Sequence, residues 1–137
     1  MILIEPINRL IFRDRAIKGE RVKGKYFGGF CTCGGIMYQK SWFAEDGKLI
    51  LVSECEKCWK NEAMVFNNNT PVGQKEEVKT IERPYLEDVL EELLSPSEFE
   101  AVMAKARGEN YNPTAFSRAK KRLSDFNLDL DEILSYL

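Results

Sequence analysis

Cys31, Cys33, Cys55 and Cys58 are the residues whose type and spacing point most directly to chemistry. They form two tight pairs, Cys31-Thr32-Cys33 and Cys55-Glu56-Lys57-Cys58, with 21 residues between them. Two close pairs on either side of a hairpin-sized spacer are what a tetrahedral site of four thiolates requires, and zinc is the usual occupant. Four thiolates fill the coordination shell and leave no position for water. One structural zinc ion is therefore expected, not a catalytic one. A Cys-x-x-Cys redox pair is a second reading, but it lacks a strand-then-helix context and leaves two cysteines unexplained. Buried free thiols or an iron–sulfur cluster complete the set.

The segment between the pairs must bring them together. Ile36 to Phe43 is aromatic and apolar, Asp46-Gly47 is a tight-turn signal, and Leu49 to Val52 returns as a strand. Gly34 and Gly35 can supply the left-handed backbone of a cysteine turn, and a further strand is expected over Ala63 to Phe66. Cys31-x-Cys33-Gly34 and Cys55-x-x-Cys58 flanking a hairpin resemble a zinc ribbon over residues 22–67. The resemblance implies a small antiparallel ribbon organised by metal, a fold that occurs in transcription, translation and RNA-handling proteins. The chain departs from that pattern twice. Only one residue separates the first pair, and Trp59 stands where a glycine usually follows the last cysteine. The second departure makes an iron-binding, rubredoxin-like site a poorer match.

Other chemistry is narrowed by what the chain lacks. There is no histidine, which removes Ser-His and Cys-His nucleophile pairs and any histidine base. No phosphate-cradling loop ending in Gly-Lys-Ser/Thr and no Gly-x-Gly-x-x-Gly fingerprint occurs. The chain is expected to work by binding, not by catalysis. With 44% apolar and 31% charged residues it should fold as a globular protein. No apolar run approaches the roughly 18 residues of a membrane span, and Glu5-Pro6 interrupts the opening apolar residues too early for a secretory signal. A cytoplasmic protein is expected, with its thiols kept reduced.

Local charge suggests where a partner would bind. Residues 1–30 carry seven basic and three acidic groups. Arg21, Lys23 and Lys25 alternate with Val22, Gly24 and Tyr26 there, which predicts a strand with one basic face. Tyr26, Phe27 and Phe30 lie beside it as rings that can stack on bases, although a solvated edge strand explains the same lysines. Residues 68–77 read as a polar linker after Asn67-Asn68-Asn69. The remainder reads as helices. Leu86, Leu90 and Leu94 lie at helical spacing behind Pro84, and Ser95-Pro96-Ser97-Glu98 is a capping box. Asn112-Pro113 starts a third helix, and a fourth begins near Asp129. On the third helix Arg118, Lys121 and Arg122 share one side, which suggests a helix-turn-helix whose basic face contacts nucleic acid. Pairing with the acidic residues of the last helix would remove that face.

These observations predict an α+β protein: a zinc-ribbon domain at residues 1–67, a linker at 68–77, and a compact module of three or four helices at 78–137. The expected function is zinc-dependent association with DNA or RNA, as an accessory factor in transcription or RNA handling. Arg21, Lys23, Lys25, Arg118, Lys121 and Arg122 are the expected contacts. The alternative is an adaptor that docks into a larger protein complex through the ribbon, with no membrane involved.

Overall fold

Three pairs of residues with left-handed backbone set the hairpins. Arg13-Asp14, Asp46-Gly47 and Asn68-Asn69 all have positive φ. Two consecutive residues of that kind make the tight turn whose twist matches antiparallel strands. The computed structural model describes residues 1–137. Its strands are β1 (Ile2–Ile4), β2 (Arg9–Phe12), β3 (Arg15–Arg21), β4 (Phe27–Phe30), β5 (Ile36–Glu45), β6 (Lys48–Cys55), β7 (Asn61–Asn67) and β8 (Thr70–Ile81).

Seven of these strands close into a barrel. The ring runs β1, β2, β3, β5, β6, β7, β8 and back to β1. All neighbours are antiparallel except β8 and β1, which pair in parallel through Lys79–Ile81 and Ile2–Ile4. β5 has neighbours β6 on one edge and two strands in succession on the other. Its first residues, Ile36–Tyr38, pair with β4, and Ser41–Phe43 pair with β3. An irregularity between Gln39 and Ser41 marks the change, and a bulge at such a point bends the strand. Gly19 is required at the closure, because a Cβ there would collide with the Phe43 ring and the Trp42 carbonyl.

The barrel interior holds Leu3, Leu10, Ile17, Phe43, Ile50, Val52, Ala63 and Val78. Strand alternation turns Ile4 and Ala16 to the opposite face, where they join the helices. After a single 3₁₀ turn come α1 (Leu86–Leu93), α2 (Pro96–Ala106), α3 (Pro113–Asp125) and α4 (Leu130–Leu134). Leu86, Leu90, Leu94, Val102, Ala119, Leu123, Leu130 and Ile133 form one buried cluster with Ile4, Ile7 and Ala16. Ala16 donates its N–H to the Phe126 carbonyl at 2.9 Å, Asn127 Nδ2 donates to the Ala16 carbonyl at 2.8 Å, and Arg9 holds both carboxylate oxygens of Glu132. The two halves therefore share a core.

The zinc-ribbon expectation is corrected by this topology. The β5–β6 hairpin and β7 are present, but they are staves of a closed barrel that also needs β1–β3 and β8. The proposed linker at 68–77 is likewise a hairpin turn plus most of β8. Its polarity reflects exposure of Pro71 to Gln74, and Asn68-Asn69 accounts for the turn signal. The strand expected over Arg21 to Tyr26 ends at Arg21, and residues 22–26 form a loop.

The capping box at the start of α2 is complete: Glu98 N–H donates to Ser95 Oγ and Ser95 N–H donates to Glu98 Oε1. Glu98 is buried, and Arg122 Nε donates to its carboxylate at 2.9 Å. The Ser95 backbone N–H, and after it the Ser95 hydroxyl and Arg122, hold the Glu98 carboxyl below the usual carboxylate range against the opposing effect of burial. A depressed folded pKa contributes stability that is fully present above the unfolded value near 4.3 and is lost as pH falls through the folded one. In denaturant unfolding at neutral pH, Glu98→Ala is expected to cost about 1–3 kcal/mol. Glu98→Gln should flatten the loss of stability below about pH 4.3. An unchanged acid limb in Glu98→Gln would contradict this assignment.

Candidate metal centre and the surface around it

The cysteine turns hang from the same end of the β5–β6 hairpin. Ile36 opens β5, Cys55 closes β6, and Met37 pairs with Cys55. In the first turn Cys31 N–H donates to the Gly35 carbonyl, and Gly34 N–H to the Cys31 carbonyl, each at 2.9 Å. In the second, Trp59 N–H donates to the Cys55 carbonyl at 3.0 Å and Cys55 N–H to the Lys60 carbonyl at 2.9 Å. Gly35 must lack a side chain, since a Cβ would lie 2.6 Å from Cys55 Sγ and 2.8 Å from Lys57 Cβ.

All four Sγ atoms lie within 4.8 Å of one another, so the cluster can hold a metal ion. The Cys31–Cys58 and Cys33–Cys55 sulfur pairs are 3.6 and 3.5 Å apart. Zinc–sulfur bonds of about 2.3 Å in a tetrahedron place sulfurs roughly 3.8 Å apart, so the donor set and its spacing fit such an ion. Backbone N–H groups already point at sulfur: Gly35 to Cys33, and Lys57 and Cys58 to Cys55, at 3.4–3.5 Å. Such bonds favour thiolate over thiol. The Cys58 amide foremost, with that of Lys57, brings Cys55 down to about 7. Cys58 is pushed up to about 12: the Lys60 amide pulls it down, but desolvation and the crowding of Cys33, Cys31 and Cys55 outweigh that pull. Without a cation, four adjacent sulfurs cannot all carry charge.

Exposed rings lie along the loop and strand that lead into the first cysteine turn and directly after the second. Tyr26, Phe27, Phe30 and Trp59 are each more than half exposed. Phe30 precedes Cys31, Trp59 follows Cys58, and the Phe27 and Phe30 rings meet edge to face at 5.2 Å. Trp59 also has φ of 66°, a left-handed conformation that costs a bulky residue about 1–3 kcal/mol and that glycine adopts freely. The sequence showed Trp59 only as a departure from a pattern; its strain and exposure emerge from the structure.

The expected basic contacts are placed unevenly. Arg21 donates to the carbonyls of Glu5 and Pro6, at 2.7 and 3.2 Å, and so ties β3 to the β1–β2 connection. Lys25 lies over the Tyr38 ring at 4.4 Å and reaches Glu56 at 3.4 Å; Tyr38 first, then Glu56, raise its pKa. Lys23 is exposed in the same loop and makes no ion pair. On α3, Arg122 is engaged by buried Glu98 and Lys120 by Asp131, while Arg118 and Lys121 remain exposed without ion pairs. Glu98 of α2 therefore takes up part of that face, and the acidic last helix reaches only Lys120 beside it. No helix is long and apolar enough to cross a membrane.

Comparison with known proteins agrees with the two-part architecture. Residues 1–80 match the model of an AF0631-like N-terminal beta-barrel domain, and residues 83–136 that of an AF0631-like C-terminal four-helix domain. This match also overturns the zinc-ribbon resemblance. A protein of Archaeoglobus fulgidus described as uncharacterized is 46% identical over 132 residues, covering 96% of this chain and 95% of its own length. No solved structure matches the chain.

Titration of the reduced protein with zinc is expected to end at one ion per chain, since the thiols form one cluster. Cys55→Ser should weaken retention against a chelator more than tenfold and abolish the thermal stabilisation that the metal gives. Retention equal to that of the unaltered chain would show that the metal sits elsewhere.

Proposed function

We propose, for a chain that belongs to the AF0631-like family with its N-terminal β-barrel and C-terminal four-helix domain, that a structural zinc ion on Cys31, Cys33, Cys55 and Cys58 fixes a surface that binds single-stranded DNA or RNA, without catalysis. The observation that carries this reading is a set of four exposed rings, two of them, Phe30 and Trp59, next to cysteines of the cluster and two, Tyr26 and Phe27, on the approach to it. These rings have little internal packing to explain them, and exposed aromatics among cations are how single strands are held without duplex structure. The stretch of chain that carries three of them has charge of one sign, although Lys25 is paired with Glu56 and Lys40 with Glu5 and Glu54 from other stretches. From Arg21 to Ala44 the chain has four cations (Arg21, Lys23, Lys25 and Lys40) and no carboxylate. Lys75 of β8 adds another, its ammonium 3.2 Å from the Phe30 carbonyl.

In this reading zinc supplies rigidity: its binding energy holds two turns that bury too little apolar surface to be fixed otherwise. Phe30 and Trp59 flank that rigid point, and Lys23 and Lys25 offer charge to phosphates. Arg21 acts indirectly, by fixing the start of the loop that carries those lysines. A role in transcription or RNA handling is consistent with such a surface, and Arg118 and Lys121 are left as a second, separate basic site on α3.

Fluorescence anisotropy of the zinc-loaded protein with labelled single-stranded DNA, single-stranded RNA and duplex DNA, across a salt series, tests the proposal. Binding to single strands should weaken linearly with salt on a log–log plot. Replacing Lys23 and Lys25 by Ala should reduce the slope by roughly 0.7 for each phosphate that is no longer neutralised. Arg118→Ala with Lys121→Ala, which leaves the Glu98–Arg122 pair intact, should leave single-strand affinity unchanged. Absence of binding to any of the three at low salt would overturn the proposal and leave a protein partner, the adaptor reading, as the occupant of the aromatic surface.

A further inference from the structure

The loop between β3 and β4 opens a cleft. Val22 N–H donates to the Lys40 carbonyl at 2.8 Å and Gln39 N–H to the Tyr26 carbonyl at 2.9 Å, so residues 23–25 leave β5 where its partner changes. The resulting cavity, about 420 Å³, runs over the outer face of β5 and β6 and is bounded by Lys25, Tyr38, Lys40, Glu54, Glu56 and Trp59. Its size falls in the range of small-ligand sites.

Trp59 forms a wall of this cleft at a conformational cost that its own packing does not offset. The other left-handed non-glycine residues are Asn or Asp except Arg13, so Trp59 is the one aromatic held this way. It stands more than half exposed, stacks on no other ring, and its indole N–H makes no hydrogen bond. A strained, exposed side chain of this kind points to a role in contacting something outside the protein. Along the remaining lining Lys40 is held by Glu5, Glu54 and Asn61 and Lys25 reaches Glu56, which leaves the rest of the Lys25 ammonium as donor and the second carboxylate oxygens of Glu54 and Glu56 as acceptors. Both kinds are present within one cleft, which suits the edge of a nucleobase; the carboxylates disfavour a phosphate inside it.

We infer that this cleft receives one unpaired nucleobase, stacked on Trp59, from a strand whose phosphates pass the exposed lysines of the 23–25 loop. The inference rests on the single-strand reading above and adds the subsite and the residue that receives a base. Trp59 is a stacking residue there, and the glycine that would suit its backbone is excluded by the need for a ring.

The test uses the full zinc-loaded chain and short labelled single-stranded oligonucleotides, with Trp59→Gly and Trp59→Phe. Trp59→Gly relieves the backbone, so its melting temperature should equal or exceed the unaltered protein's by roughly a few degrees, with zinc retained. Its affinity for single strands should nonetheless fall about tenfold or more, and Trp59→Phe should recover most of that loss. A fall in melting temperature with loss of zinc in Trp59→Gly would make Trp59 a structural residue and overturn the inference. Unchanged oligonucleotide affinity in Trp59→Gly would overturn it while leaving the single-strand reading in place. Failure of the unaltered protein to bind any single strand would overturn both.

Discussion

Strand β5 must hydrogen-bond along one edge to two strands in succession, and the rest of the barrel depends on that exchange. Ile36–Tyr38 take β4 and Ser41–Phe43 take β3, with the irregularity at Gln39–Ser41 between them. Pairing with β3 closes the ring and demands Gly19, whose missing side chain lets β3 approach the Phe43 ring. Pairing with β4 carries the chain into Cys31 at the end where Cys55 leaves β6. One backbone constraint thus seals the hydrophobic interior and brings the two cysteine turns together. The loop displaced at the change of partner, residues 22–26, is also the one that carries Lys23, Lys25 and Tyr26.

The barrel divides its labour around this strand. β1–β3 face two cores, sending Leu3, Leu10 and Ile17 inward and Ile4 and Ala16 to the helices. The helical module is therefore cover for one side of the barrel as much as a domain in its own right. Its tethers at Ala16, Arg9 and Asn127 all reach β2 and β3. The cysteine turns depend on β4–β6 and share only a small buried cluster, Cys31, Met37 and Cys55. Little apolar area holds that end, so ion binding has most to contribute there. The helical end is held by packing that includes none of the cysteines.

Local signals were legible in the sequence, and closure was not. The Asp46-Gly47 hairpin, the Ser95–Glu98 capping box, the Asn112-Pro113 helix start and the paired cysteines are each determined by neighbours a few residues apart. The barrel depends on Ile2–Ile4 lying beside Lys79–Ile81, and a three-residue strand has no periodicity to read. β8 looked like a linker because most of its first half faces solvent, and because an Asn pair that makes a tight turn also looks like a loop. For the same reason the hairpin and the cysteines suggested a ribbon: both are present with β7, and the four other strands that complete the ring, β1–β3 and β8, have weaker patterns. On α3 the helix and its basic residues were legible. That Arg122 belongs to a buried carboxylate was not, because Glu98 was accounted for locally by its cap.

The charge of the metal centre bears on which cations a nucleic acid can use. Four thiolates around a divalent ion leave a net charge of −2 at the surface, and an approaching phosphate is repelled unless nearby cations offset it. Lys57, whose Cβ lies against the Gly35 turn, is placed to do that, and Lys25 is partly committed to Glu56 and the Tyr38 ring. Lys23 has no such partner, so it is the residue of this loop whose charge is least committed inside the protein. The rings face a different balance. Stacking on Phe30 or Trp59 requires no counter-charge and is indifferent to the dianion beside them. On the proposed reading, a surface built around a thiolate-bound ion would hold a strand better by its bases than by its phosphates, a condition that single-stranded nucleic acid, with its bases free, meets and a duplex does not.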